Sequence, residues 1–115
     1  MNIVDELCSA DFVGHMAGVP QPVRGRDEFK QVASMYLAAF EVDDTPEFLV
    51  AEEDMVVVHD SLRLKHKGEF QGHPATGKEA TLSGTDIYRI VGGKIVEQWV
   101  EGNQLDLMQQ LGVVR

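Results

Sequence analysis

The 115-residue sequence contains one cysteine, Cys8, and no apolar run that approaches the roughly 20 residues needed to span a bilayer. A single cysteine excludes an intramolecular disulfide and disfavours a metal site built on cysteine. The first residues, Met1–Glu6, lack the basic region and the long apolar region of a signal peptide. We therefore expect a cytoplasmic protein that does not enter a membrane.

Basic residues are also scarce, because 10 Lys and Arg stand against 19 Asp and Glu, which gives a net charge of -9. Nucleic-acid binding needs a basic surface for phosphate, so we expect no nucleic-acid partner. Acidic residues concentrate at 41–47 and 52–54, and both clusters resemble solvated turns rather than cation sites. Neither has the residue order of a calcium loop, and no two histidines have ligand spacing, so the sequence predicts no metal site.

Glycine and proline divide the chain into a helical first part and a strand-rich second part, which is typical of an α+β fold. The length fits one domain, residues 1–115. Apolar residues at helical spacing predict a helix at 26–40. Its predicted buried face consists of Phe29, Val32, Ala33, Tyr36, Leu37 and Phe40. The other predicted elements are a short helix at 2–10, a loop at 16–25, strands at 47–52, 55–67, 78–90 and 94–103, and a helix at 104–111.

The segment Val91–Lys94 predicts a tight hairpin, because Gly92 and Gly93 supply the positive φ angles of a two-residue primed turn. Regular pairing from this turn places Asp86 opposite Trp99, and paired residues share one face of a sheet. That face is predicted to carry Asp86, Tyr88, Glu97, Trp99, Glu101 and Asn103. Carboxylates beside aromatic rings suit a pocket lining and would have raised pKa values. The alternative is a solvent-facing strand, and a shift of one residue would break the deduction.

The opposite face of the same hairpin is half apolar and half polar, which is common in surfaces that pack against a partner subunit. Its predicted members are Ile87, Arg89, Val96, Gln98 and Val100. We therefore expect a homodimer that forms through the sheet.

The histidines give weaker predictions. His59 and Asp60 are strand neighbours that point to opposite faces, so one of them faces the pocket, and the sequence does not decide which. His73 lies in a loop rich in glycine and could line the pocket mouth. His15 could close the narrow end of the pocket. No phosphate-binding loop and no nucleophile elbow is present.

Five segments, in order and over about residues 9–113, resemble the SnoaL-like polyketide cyclase family of the NTF2-like superfamily. The segments are Asp11–His15, Gly72–Lys78, Asp86–Arg89, Gly93–Trp99 and Gln109–Gly112. The resemblance implies a cystatin-like cone, in which a curved antiparallel sheet packs on helices around a deep pocket, usually in a dimer. It also implies aldol ring closure without metal or organic cofactor, with an acidic residue near the end of the last strand as general acid/base.

Two features depart from the family pattern. Many members carry Asp four residues after the Trp, where this chain has Asn103, and an amide cannot take a proton at neutral pH. Glu101 could substitute, as in the related epoxide hydrolases, and Asp86 is a second candidate acid/base. Members also usually begin with a longer amphipathic helix, so we expect a cone that is less covered or that a partner covers.

The sequence therefore supports two functions. The first is acid/base chemistry of cyclase, isomerase or epoxide-hydrolase type on a small apolar substrate that carries a carbonyl group. The candidate catalytic residues are Glu101, Asp86 and Asn103, and the candidate substrate contacts are Trp99, Tyr88, Glu97, His15, His59 and His73. The second is a non-catalytic module that binds a small apolar molecule or serves in assembly. The sequence alone does not decide whether the chain is an enzyme.

Overall fold

A computed structural model describes residues 2–16 and 19–112, so residues 17 and 18 of the predicted loop lie outside the described residues. The elements, in chain order, are α1 (Asn2–Leu7), β1 (Cys8–His15), β2 (Val23–Arg24), α2 (Gly25–Ala39), β3 (Phe40–Glu52), β4 (Met55–His66), β5 (Glu79–Val91), β6 (Lys94–Gly102) and α3 (Gln104–Gln110). None of the described helices combines the length and the apolar character that a membrane crossing requires.

The six strands form one open sheet in the order β2-β1-β6-β5-β4-β3. Strands β1 and β6 are parallel, whereas the other neighbours are antiparallel. A mostly antiparallel sheet that packs on segregated helices is an α+β arrangement, so the predicted class is confirmed.

Cross-strand pairing divides the sheet into two faces, because paired residues point to the same side. We call the face that packs against the helices the inner face. There, Leu64 and Leu82 pack with Leu107 of α3 and with Leu111, which follows that helix. At the other end, Phe12 of β1 is fully buried with Val4 of α1, and Phe29 of α2 packs against them. The opposite side of the sheet is called the outer face.

Helix α2 ends at Ala39, where Phe40 takes up extended backbone and begins β3. The predicted apolar stripe largely faces the sheet, since Phe29 and Tyr36 line the space beneath it. Leu37, by contrast, is 51% exposed, so its predicted burial is wrong. The inward positions after Tyr36 are Ala39 and Phe40, both fully buried.

Three strands were missed or shortened in the sequence-based prediction. Strand β2, Val23–Arg24, lies within the predicted loop at 16–25. Helix α1 ends at Leu7, before the predicted end at residue 10, and strand β1 follows at Cys8–His15. Strand β3 begins at Phe40 rather than at residue 47. The acidic first half of β3 resembles a turn in the sequence. Because β3 is an edge strand, Pro46 can lie in it without a backbone N–H to donate to a neighbouring strand. The pairing also shifts between Pro46 and Phe48, as at a β-bulge.

The connection between β4 and β5 is tied to the end of α2. The amides of Lys67 and Gly68 donate to the Ala39 carbonyl at 2.8 and 3.0 Å. The ring of His66 is fully buried, and its Nδ1 accepts the Thr76 amide at 3.2 Å. These bonds hold the glycine-rich connection in place.

Gly68 makes the closest backbone approach in this region. A Cβ added to Gly68 would lie 2.3 Å from the carbonyl oxygen of Ala38, so the backbone would have to shift. We expect Gly68→Ala to lower the free energy of unfolding by about 1–3 kcal/mol, measured by urea denaturation. Gly102→Ala is the matched control, because its Cβ would meet nothing within 4 Å. Equal stability of the two variants would contradict the close approach.

Candidate functional site

The β5–β6 hairpin turns at Gly92 and Gly93, whose φ angles of 59° and 77° are the predicted positive values. The first two pairs follow the predicted register, and then β6 holds one extra residue opposite β5. Asp86 therefore pairs with Val100 and not with Trp99. The predicted pairing is wrong beyond this bulge, because one extra residue reverses which side chains share a face.

The bulge separates residues that regular pairing had placed together. On β5, Asp86 and Tyr88 share the inner face with Val100 and Gln98 of β6. Glu97 and Trp99 lie on the outer face, so the predicted mixed face does not exist. The second predicted face is divided in the same way, with Ile87 and Arg89 outside and Gln98 and Val100 inside.

The residue His15 lies on the outer face, where it joins β1 to β6. Its Nε2 lies 2.8 Å from Oε2 of Glu97, and its ring stacks on Trp99 with centroids 5.5 Å apart. The Arg89 guanidinium lies 5.9 Å from the centre of the Trp99 ring. His15 therefore does not close the pocket, and this part of the prediction is wrong.

Strand β4 settles which of two neighbours points inward. His59 lies on the outer face, where its Nδ1 is 3.2 Å from Oγ1 of Thr85 and its ring stacks on Phe48. Asp60 points inward and is only 5% exposed. His73 sits in the β4–β5 connection, where it exchanges backbone hydrogen bonds of 2.9 Å with Phe70. Neither histidine is among the residues that border the cavity described next.

A cavity of about 310 Å³ lies between α2 and the inner face. Most of its wall is apolar, and includes Phe29, Val32 and Tyr36 from α2 and Leu62, Leu64 and Leu82 from the sheet. The polar groups on its border include Asp44, Asp60, Asp86, Gln98, Glu101 and Asn103. An apolar space with a few polar groups is the usual form of a small-molecule site.

Three adjacent strands each place one aspartate at this cavity. Asp44 of β3 pairs with Leu62 of β4. Asp60 lies two residues before Leu62 on the same strand, so Asp44 and Asp60 share the inner face. Asp86 of β5 pairs with Val58, again on the inner face. The sequence predicted that Asp86 lies at the pocket. It did not decide whether Asp60 faces the pocket, and it did not predict Asp44 as a pocket residue. The alternation of Asp60 with Leu62 and Leu64 was a signal for Asp60, whereas Asp44 lay in a segment that resembled a turn.

The surroundings of Asp44 and Asp86 raise the pKa values of their carboxyl groups. Desolvation, followed by a hydrogen bond with Asp60, raises the pKa of Asp44 to about 6. Burial, and then the charge of Asp60, raises the pKa of Asp86. The Tyr88 hydroxyl donates to Oδ2 of Asp86 at 3.3 Å, which offsets part of that rise. Burial and the nearby Asp86 also raise the pKa of Tyr88 above its ordinary value. The cavity thus holds two carboxyl groups, those of Asp44 and Asp86, with raised pKa values.

The last two predicted catalytic residues lie on the border of the cavity. Glu101 is exposed and pairs with Thr85. Asn103 caps α3, since its Oδ1 accepts the Asp106 amide at 2.9 Å. The side-chain amide of Asn103 therefore has a structural role as a helix cap, which the comparison with the family's usual Asp does not indicate.

The model of the SnoaL-like polyketide cyclase family matches residues 1–111. No curated protein matches the chain significantly. Among solved structures, a candidate SnoaL-like polyketide cyclase from Jannaschia sp. CCS1 is 19% identical, with a TM-score of 0.92 over 99% of this chain and 79% of its own. This likeness confirms the predicted NTF2-like fold.

Two further neighbours come from Streptomyces. The candidate polyketide cyclase IdmH from Streptomyces antibioticus is 28% identical, with a TM-score of 0.82 over 96% of this chain and 86% of its own. The candidate hydroxylase AclR from Streptomyces galilaeus is 27% identical, with a TM-score of 0.82 over 96% and 81%. Since the family model spans nearly the whole chain, this protein belongs to the SnoaL-like polyketide cyclase family.

Proposed function

We propose that the protein catalyses cofactor-independent proton transfer on a small apolar substrate that carries carbonyl groups, by ring closure of the aldol type. The observation that carries this proposal is the meeting of Asp44, Asp60 and Asp86 at an apolar cavity. Proton transfer is fastest when the pKa of the acid or base lies near the working pH. The pKa of about 6 at Asp44 meets that condition.

The proposed reaction divides the work between two carboxyl groups. Asp60, in its ionised form, removes a proton from the carbon next to a substrate carbonyl, which leaves an enolate. The enolate carbon then attacks a second carbonyl carbon of the same molecule, and a new carbon–carbon bond forms. Neutral Asp44 gives its proton to the resulting alkoxide oxygen. Because Asp44 and Asp60 share a hydrogen bond, the proton taken up by Asp60 can return to Asp44.

The remaining groups support this chemistry. Asp86 is a second acid, and the Tyr88 hydroxyl that donates to it holds its carboxyl group in one orientation. The apolar wall excludes water, which strengthens every charge interaction inside. Asn103 borders the same cavity and is a candidate for contact with the substrate oxygen, whereas Glu101 pairs with Thr85 on the outer face. Isomerase and epoxide-hydrolase reactions would use the same carboxyl groups and are alternatives within this proposal.

Replacing the proposed base tests the proposal most directly. We expect Asp60→Asn to lower kcat about 100-fold to 10,000-fold on a substrate found in a panel of polyketide-like ketones and epoxides. Asp43→Asn is the matched control, since Asp43 pairs with Arg63 on the outer face and does not border the cavity. Full activity of Asp60→Asn would remove the base from the mechanism. Ligand binding without any turnover across the panel would instead favour a non-catalytic binding module.

The raised pKa of Asp44 also predicts a pH dependence of stability. The folded state holds this proton more tightly than the unfolded state, whose carboxyl has the ordinary value of 3.8. The contribution of Asp44 to stability is therefore lost as the pH rises from about 4 to about 6. We expect Asp44→Asn to be more stable than the wild type near neutral pH, with an advantage that shrinks on acidification.

Urea denaturation across this pH range measures the effect, with Asp11→Asn at an exposed position of β1 as control. A difference between Asp44→Asn and the wild type that stays constant with pH would contradict the raised pKa.

We further propose that two copies of the chain associate through their outer faces. The described helices pack on the inner face, which leaves Ile87 and Trp99 uncovered by them. At the edge of the same face, Phe48 is 57% exposed and Val50 is 58% exposed. A flat face with apolar groups suits a symmetric interface, in which the same patch serves both subunits.

Light scattering after size-exclusion chromatography tests this association. We expect a mass of twice 12.7 kDa for the wild type and a monomer for Ile87→Glu, because a buried unpaired charge would oppose the interface. Leu37→Glu is the control, since Leu37 is 51% exposed on α2, away from the outer face. A monomeric wild type at micromolar concentration would remove the proposed dimer.

A further inference from the structure

The charge of the cavity has one sign only. Three aspartates of the inner face border it, namely Asp44, Asp60 and Asp86, while no Lys, Arg or His does so among the residues that the structure describes. Glu101 also lies at the border, but it pairs with Thr85 on the outer face. The apolar wall strengthens this charge, because water screens it less than at an open surface. An anionic ligand would be repelled, and a cationic ligand would be attracted.

Asp60 offers an acceptor that nothing in the described chain satisfies. The residue is only 5% exposed, and its Oδ1 is buried without a hydrogen-bond partner among the described residues. A buried carboxylate oxygen without a partner is costly, so native sites of this kind usually hold a ligand or an ordered water molecule. Because Asp60 borders the cavity, a donor bound there would supply the missing partner.

The rest of the wall suits an organic cation better than a metal ion. Phe29 and Tyr36 border the same cavity, and aromatic rings attract an ammonium group through their faces. Within residues 2–16 and 19–112, no group of three His, Cys, Asp or Glu side chains could hold a metal ion.

We infer that the cavity recognises an organic ammonium group, so that the substrate is an apolar molecule carrying a protonated amine held by Asp60 and its neighbouring carboxyl groups. This inference rests on the proposed function, because the same cavity would bind the ammonium group and carry out the reaction. It restricts the proposed substrates to apolar molecules that carry a protonated amine. The raised pKa values of Asp44 and Asp86 agree with it, since a bound cation would relieve the repulsion that contributes to them.

Three probes of similar skeleton and different charge test the inference. Benzylamine is a cation at neutral pH, benzyl alcohol is neutral and benzoate is an anion. By isothermal titration or NMR titration, we expect the wild type to bind benzylamine at least about tenfold more tightly than benzyl alcohol, which corresponds to about 1.4 kcal/mol. Benzoate should bind most weakly.

The matched variants locate the effect. Asp60→Asn should lose the preference for benzylamine and keep its affinity for benzyl alcohol, whereas Asp43→Asn on the outer face should keep the preference. If Asp60→Asn does not fold, Asp86→Asn takes its place and should weaken benzylamine binding. Equal affinity of the wild type for the amine and the alcohol overturns the inference, as does a preference that Asp60→Asn and Asp86→Asn both keep.

These outcomes are separate from those of the proposed function. Turnover of neutral ketones that depends on Asp60, without any preference for benzylamine, would overturn the inference and leave the proposed chemistry standing. A preference for benzylamine that needs Asp60, without turnover of any ketone or epoxide with or without an amine, would support the inference and remove the proposed chemistry.

Discussion

The extra residue in β6, opposite Arg89 and Ile90 of β5, is the constraint on which the site depends. Side chains alternate along a strand, so one unpaired residue reverses the faces of everything beyond it. The bulge sends Gln98 and Val100 toward the cavity and turns Trp99 outward. A β-bulge beside a functional site commonly has this role of redirecting side chains. Without it, the bulky indole of Trp99 would point to the side where Asp86 and the cavity lie.

Two carboxyl groups at the cavity have pKa values above those of isolated aspartates. Three strands bring Asp44, Asp60 and Asp86 to one apolar space, where desolvation and charge repulsion raise the pKa values of Asp44 and Asp86. The same two effects underlie both proposals, namely proton transfer by these groups and recognition of a cation. The proposed chemistry and the proposed recognition therefore have one electrostatic origin.

The outer face is organised differently. There, Glu97 and His15 make a close contact, and the Trp99 ring stacks on His15 and lies near the Arg89 guanidinium. The contacts of His15 join β1 to its parallel neighbour β6, and the contact of Arg89 joins β5 to β6. Residues that share strand β6 with the cavity wall thus serve the integrity of the sheet, which explains why a mixture of carboxylate and aromatic residues along one strand was misleading.

Sequence alone determined the α+β class, helix α2, the hairpin at Gly92 and Gly93, and the family, because apolar periodicity, glycine turns and ordered motifs are local signals. It also identified Asp86 as a cavity residue, although through a pairing that the structure corrects. Only the tertiary structure decided the inward turn of Asp60, the participation of Asp44 and the outward position of Trp99. The bulge in β6 and the edge position of β3 depend on neighbouring strands, and no pattern within one strand encodes the register that those neighbours impose.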